Sequence, residues 1–209
     1  AGIHIYSGAP RIVNNTITYL PSGPASGAPS YGIFSLVSLA GSADRDFNNV
    51  HGWVQNTYQY TAGAHDQDVD PGYADVAAGD HHLTAASPLR AAGDDGTSSG
   101  VTLPGVDIDG DARTGSFDIG ADQFVPTPPA AVSLTGPTTG FAHAPYTFTA
   151  HTTPVTATQP LTYTYRVAHQ SAVTAQSGIS HTTTYTWTRS GAHTLTVTVT
   201  NESRAQVAT

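Results

Sequence analysis

The chain has 209 residues, of which 38% are hydrophobic and 11% charged, with 21 Gly, 14 Pro, no Cys and a net charge of −8. This is too apolar for a disordered chain and too interrupted for a helical bundle, and it excludes disulfides, thiolate chemistry and Cys-ligated zinc. The acidic balance argues against a nucleic-acid partner, and no run of about 18 apolar residues is present to span a membrane.

Charge divides the chain. Residues 1–125 hold 14 Asp and 4 Arg, a balance of −10, whereas residues 126–209 hold one Glu and 3 Arg, a balance of +2. The break falls at Val125-Pro126-Thr127-Pro128-Pro129. Proline stiffens a chain and cannot donate to a ladder, so residues 126–129 read as a short semi-rigid joint. The opening at Ala1 has neither a basic start nor a long apolar core, as expected of a mature product, a fragment or a cytosolic chain.

The first elements repeat. Gly2-Ile3-His4-Ile5-Tyr6 aligns with Gly32-Ile33-Phe34-Ser35-Leu36, thirty residues on. Arg11-Ile12-Val13-Asn14-Asn15-Thr16 aligns with Arg45-Asp46-Phe47-Asn48-Asn49-Val50, thirty-four on, with a turn insertion at Ala40-Gly41-Ser42-Ala43. Short strands with Asn/Gly corners at this period predict stacked coils, because one coil cannot bury its inner face alone. Val13 is expected over Phe47 inside, Arg11 over Arg45, and Asn14-Asn15 over Asn48-Asn49 at a corner where amides bond along the stack. An ordinary antiparallel sheet with coincidental matches is the alternative.

Further along come Asp70-Pro71-Gly72-Tyr73, Gly79-Asp80-His81-His82-Leu83, Ser87-Pro88-Leu89-Arg90-Ala91-Ala92-Gly93, Asp107-Ile108-Asp109-Gly110-Asp111-Ala112-Arg113 and Gly115-Ser116-Phe117-Asp118-Ile119-Gly120-Ala121-Asp122-Gln123-Phe124. In this order the segments resemble the C-terminal end of bacterial secreted right-handed parallel β-helix proteins of the choice-of-anchor Q type. Ala112 and Gln123 depart from that family's usual Pro and Glu. The resemblance covers residues 1–125 and implies the final rungs of a coil, closed by a cap near Phe124. Arg113 is expected to pair with Asp118 or Asp107 beneath the turn.

Residues 130–209 alternate with period two. Tyr146, Phe148 and Ala150, then Leu161, Tyr163, Tyr165 and Val167, then Tyr185 and Trp187, then Leu195, Val197 and Val199 are spaced mostly by Thr. Thr is β-branched and gives a hydroxyl outer face without charge. Short alternating strands predict an antiparallel sandwich. Gly191-Ala192-His193-Thr194-Leu195-Thr196-Val197-Thr198-Val199-Thr200-Asn201 resembles a strand of PKD and related Ig-like repeats, and the Thr-rich stretches resemble surface proteins of Chloroflexi-like bacteria. The WDFGDG signature of PKD domains proper is missing. The expected fold is therefore all-β, a right-handed parallel β-helix end followed by a PKD/Ig-like sandwich. Both chain ends look incomplete, so either the chain is a fragment or its open strand edges join subunits.

Few residues suggest chemistry. Asp107, Asp109 and Asp111 around Gly110, with Asp118, offer oxygens for Ca²⁺, although the EF-hand pattern does not match. The competing reading is a structural turn locked by Arg113. Asp66, Asp68, Asp70 and Asp75 read as a solvated loop. His81 and His82 are adjacent, point to opposite faces of a strand, and make poor co-ligands. Asn14-Asn15-Thr16 and Asn201-Glu202-Ser203 match glycosylation sequons without implying use. Trp53, Tyr58 and Tyr60 are candidate sugar platforms, with packing the competing role. No cofactor is expected beyond that Ca²⁺.

The expected function is a non-enzymatic extracellular structural or adhesive protein of a bacterial surface, partnered by copies of itself, other surface proteins or glycans, with a self-assembling filament as its sharper form. The alternative is an ancillary C-terminal fragment of a carbohydrate-active β-helix enzyme, or a glycan-binding module.

Overall fold

The computed structural model describes residues 2–19 and 30–209; Ala1, where the opening run was expected to begin, lies outside them. The described residues are all-β apart from a 3-10 turn at Val76–Ala78. They form two compact units, Ala1–Phe124 and Val125–Thr209. Among the described residues no helix is long and apolar enough to cross a membrane.

In the first unit the strands are β1 (Ile3–Ile5), β2 (Ile12–Val13), β3 (Thr16–Thr18), β4 (Tyr31–Leu39), β5 (Arg45–Asp46), β6 (Asn49–His51), β7 (Gln55–Tyr60), β8 (Tyr73–Asp75) and β9 (Asp80–Leu83). Strands β1, β4 and β7 pair side by side and parallel, with Ile3 beside Ile33 and Ile33 beside Thr57. The 30-residue spacing read from the sequence is the register of β1 on β4. Strands β2 and β5 are also parallel, as are β3 and β6. These are separate ladders of three, two and two strands, and no single closed sheet joins them among the described residues.

The second spacing differs from the expected one. Ile12 pairs with Arg45 and Thr16 with Asn49, an offset of 33 rather than 34 residues. Val13 therefore lies beside Asp46, and Phe47 falls level with Asn14. The reason is backbone geometry: Asn14 (φ 57°) and Phe47 (φ 60°) both take the left-handed conformation at this corner. Phe47 stays half-buried and stacks on the His65 ring at 4.4 Å instead of entering the core. The two arginines form no column either, since Arg11 reaches Asp44 at 3.9 Å.

The amide corner does bond along the stack, through Asn15 and Asn48. Asn48 Oδ1 accepts from Asn15 N (3.1 Å) and Asn15 Nδ2 (2.9 Å), while Asn48 Nδ2 donates to Ile12 O (2.8 Å) and Asp66 Oδ1 (3.1 Å). Asn49 exchanges two bonds of 3.0 Å with the backbone of Val69. Inside lie Ile5, Ile12, Ile17, Ile33, Leu39, Val50 and Tyr60. Trp53 lies across Gly2 and Gly32. A Cβ at Gly2 would stand 3.2 Å from its ring, and one at Gly32 3.1 Å from it and 2.7 Å from Asn56 O. A Cβ at Gly2 would also meet Ile17 Cγ2 at 2.5 Å, and one at Gly32 would collide with Val50 Cγ1, so packing on both sides excludes a side chain there, and Trp53 Nε1 donates to Ile17 O at 3.0 Å.

Past Val69 the parallel order stops. Strands β8 and β9 pair antiparallel, not as successive coil strands, because Gly79 (φ 77°) turns the chain straight back. Residues 84–124 form a strandless lid around Leu83, Leu89 and Ile119. The expected position of this lid is also corrected: its hydrogen bonds go to the first repeat, not the last. Gly120 N donates to Asn14 O (3.1 Å), Thr16 Oγ1 to Ile119 O (3.2 Å), and Asn14 bonds both Asp94 O (2.6 Å) and Asp94 N (2.8 Å). Thr16 flanks the inward-facing Ile17, so its hydroxyl is free to meet the lid on the outer face.

The second unit contains β10 (Ala131–Thr135), β11 (Pro145–Thr153), β12 (Leu161–Val167), β13 (Val173–Ser177), β14 (Ser180–Thr186), β15 (Leu195–Thr200) and β16 (Gln206–Ala208). They form a three-stranded sheet, β10-β11-β14, and a four-stranded sheet, β13-β12-β15-β16, antiparallel throughout. The period-two residues face inward as expected: Ala150, Leu161, Tyr163, Tyr165, Val167, Tyr185, Val197 and Val199 are buried. Tyr163 donates to Gly178 O (2.9 Å) and Tyr165 to His181 O (3.0 Å), which satisfies their hydroxyls. Outside, Thr147 meets Thr184 and Thr149 meets Thr182, each at 3.1 Å. Thr127 belongs to this unit: its N–H donates to Thr158 Oγ1 (2.8 Å), and its carbonyl accepts from Asn201 Nδ2 (2.8 Å).

Candidate functional site

The acidic loop of the lid is shaped by its own carboxylates. Gly110 (φ 86°) makes the tight turn. Asp107 accepts from the backbone N–H groups of Asp109 (3.0 Å), Asp111 (2.9 Å) and Gln123 (3.3 Å). Burial opposes its charge, but these donors outweigh it and hold its carboxyl below the usual range. Asp118 is consumed in the same way by Ala91 N (2.6 Å), Phe124 N (2.6 Å) and Gln123 Nε2 (3.3 Å). Arg113 locks the turn through carbonyl oxygens, those of Gly120 (2.8 Å), Ala121 and Asp118 (3.4 Å), rather than through the carboxylates of Asp107 or Asp118. Asp111 stays exposed. The four residues Asp107, Asp109, Asp111 and Asp118 therefore do not converge on one point.

A different set does. Among the described residues, His82, Asp109 and Asp122 each offer a ligand atom, all within 4.8 Å of one another. His82 sits on β9, Asp109 on the Gly110 turn, and Asp122 just before Phe124. His82 Nδ1 contacts Asp80 Oδ1, and its Nε2 faces Asp109 Oδ2 at 2.8 Å. Residues 80 and 82 share one face of the strand, which is why this pair forms. His81 points the other way, with its ring edge-on to Tyr73 at 5.1 Å. The Asp80 contact, then Asp109, raises the His82 pKa. Asp122 is 6% exposed and accepts from Leu83 N at 2.7 Å. Burial raises its pKa, and the charges of Asp107 and Asp109 add to that. A cavity of about 600 Å³ adjoins the cluster, lined by Leu83, Leu103, Ile108, Arg113, Ile119 and Asp122 among others.

The second acidic stretch is not a merely solvated loop. Asp66 accepts from Asn48 N (2.7 Å), Gly63 N (2.9 Å) and Tyr60 OH (3.2 Å), and Asp68 meets His51 Nδ1 at 2.8 Å. Asp70 accepts from Gly72 N, and Asp75 caps the 3-10 turn by accepting from Ala78 N at 3.1 Å. Both sequon asparagines, Asn14 and Asn201, have their amides engaged in hydrogen bonds.

Of the three aromatic candidates, Trp53 and Tyr60 pack: Tyr60 is buried, and its hydroxyl faces Asp66 and Arg45 O. Tyr58 faces out and stacks on Phe34 at 5.0 Å. Parallel register puts His4, Phe34 and Tyr58 in one column along the outer face of β1, β4 and β7, with Tyr6 stacked on His4 and Tyr31 against Phe34. The register that stacks the repeats also aligns this column, a signal the sequence reading did not use. In the second unit a groove of about 700 Å³ runs past Phe141, Tyr146, Trp187 and His193.

No protein-family model matches this chain, and no curated protein matches it. Among solved structures, the chain is similar to the PKD domain of an M14-like peptidase from a Thermoplasmatales archaeon, at 21% identity and a TM-score of 0.34, over 40% of this chain and 89% of that one.

Proposed function

We propose that this chain is a non-enzymatic structural and adhesive part of an extracellular bacterial surface protein. In this reading the first unit is the end of a right-handed parallel β-helix and the second a PKD/Ig-like spacer. The observation that carries it is the parallel register of the repeats, at offsets of 30 and 33 residues, with asparagine amides bonded from one repeat to the next. Such stacking favours a stiff unit, because each repeat is held to its neighbour by several parallel ladders. The outer edges of β1 and β7 have no partner strand among the described residues, so strand addition between copies is the natural route to a filament. Electron microscopy and light scattering at rising concentration test this. Ordered filaments are expected; a monodisperse monomer at the highest concentration removes the filament form.

A second reading, glycan binding, is favoured by the outward column of His4, Phe34 and Tyr58. Aromatic faces in a row suit the apolar faces of sugar rings. Retardation in polysaccharide gels, lost in Tyr58→Ala, would support it over pure scaffolding.

A further inference from the structure

We propose that His82, Asp109 and Asp122 form a binding site for one divalent transition-metal cation of the Zn²⁺ class, and that this ion pins the lid together. Three observations combine. First, the ligand atoms lie within 4.8 Å of one another, so a small inward shift brings them inside the spread of about 4.2 Å open to donors about 2.1 Å from a shared centre. His82 Nε2 and Asp109 Oδ2, 2.8 Å apart, need to open only slightly to admit an ion between them.

Second, the imidazole is already oriented. Asp80 holds Nδ1 and leaves Nε2 toward the two other carboxylates. A carboxylate behind a ligating histidine fixes its tautomer and ring angle, as outer partners of metal ligands generally do.

Third, the charge does not balance without a cation. Asp80, Asp109 and Asp122 surround one imidazole, which supplies at most a single positive charge. Asp122 is 6% exposed, and only one of its oxygens, the acceptor from Leu83 N, is engaged among the described residues. Asp109 and Asp122 bring carboxylate oxygens within 4.8 Å of each other, and a shared cation relieves the repulsion of like charges at that distance. Of the two arginines of the lid, Arg113 is spent on carbonyl oxygens, and Arg90 bonds Ala85 O and lies over the Phe124 ring.

The donor set selects the ion. Ca²⁺ takes six to eight oxygens, whereas one imidazole with two carboxylates and room for water suits Zn²⁺ or a similar cation. The ligands come from β9, the Gly110 turn and the segment before Phe124, so the ion would tie together three stretches that share no strand pairing.

Titration calorimetry of the full chain with ZnCl₂ tests this, with CaCl₂ as the comparison. One saturable Zn²⁺ site is expected. His82→Gln and Asp109→Asn should each weaken it by about 100-fold or more, Asp80→Asn by about tenfold, and Asp111→Asn not at all. Asp122 is left intact because it also holds Leu83 N, and circular dichroism checks that each variant is folded. Zn²⁺ should also raise the melting temperature of the wild type but not of Asp109→Asn. The proposal falls if the wild type takes up no Zn²⁺ at sub-millimolar concentration, or if His82→Gln and Asp109→Asn bind like the wild type. It falls equally if Ca²⁺ binds in preference and depends on Asp111 rather than His82.

Discussion

The two units solve the same problem, satisfying buried backbone, by opposite means. In the second, antiparallel strands pair with each other, and the buried polar groups among its described residues are hydroxyls, those of Thr152, Tyr163, Tyr165 and Tyr185. In the first, strands are two to nine residues long and corners are frequent. Side chains there take over what a ladder would do: Asp46, Asn48, Asn49, Asp94, Asp118 and Asp122 are all buried and all bonded to backbone groups. Backbone N–H groups left without partners are costly, so an irregular coil needs Asp and Asn where a regular sheet needs only Val and Tyr. The concentration of acid in the first unit follows from this, apart from any ligand.

If that contrast is right, acid separates the units. Burial opposes ionisation of Asp46, Asp94 and Asp107, but hydrogen-bond donors prevail and hold all three below the ordinary value of 3.8. A depressed carboxyl stabilises the fold above that value, and its contribution is lost as pH falls through the lower folded value. Asp122, raised mainly by burial, works the other way, but it stands alone. The first unit should unfold below about pH 4 while the second, whose single acidic side chain is Glu202, persists. Each unit has one tryptophan, Trp53 and Trp187, so single-tryptophan variants followed by fluorescence resolve the two transitions. Simultaneous loss would contradict the contrast.

Next in size is Asp118→Ala. It strands the N–H groups of Ala91 and Phe124, and the expected loss is about 3–5 kcal/mol, confined to the first unit. Asn48→Ala leaves Asn15 N and Ile12 O without their partner and should cost about 2–4 kcal/mol by denaturant titration. The smallest effect belongs to the second unit. Tyr165→Phe removes one hydroxyl bonded to His181 O, at about 1 kcal/mol. The same change should also remove one source of alkaline destabilisation, because the unfolded chain ionises this hydroxyl before the folded one does. Burial, then Tyr163 and Tyr185, pushes the Tyr165 hydroxyl up to about 12, so it stays protonated through ordinary pH.

The sandwich was readable because its inward residues obey a period of two without interruption. The first unit was readable only in part. Gly2-Ile3 against Gly32-Ile33 marks the 30-residue spacing, but Asn14-Asn15 against Asn48-Asn49 matches by letter at 34, while the backbone register is 33. Asparagine favours a left-handed corner and phenylalanine does not, so nothing in the letters announces that Phe47 shares the conformation of Asn14. The lid followed the same limit. Its motifs marked tight turns, yet its attachment to Asn14 and Thr16 joins residues about a hundred positions apart. By spacing alone, His82 reads only as the neighbour of His81. The useful signal was Asp80, two residues back on the same face, whereas Asp122 is far away in sequence and no spacing rule reaches it.

The indole of Trp53 spanning Gly2 and Gly32 has a meaning for how such a chain grows or is engineered. Ile17, Val50 and the Asn56 carbonyl close the space beneath that ring at the two glycines, so an added copy of the repeat is accepted only if it brings a residue without a side chain at that height. Duplication by recombination would thus be filtered at a single codon, and a grafted coil carrying alanine there would be rejected however well its other residues match.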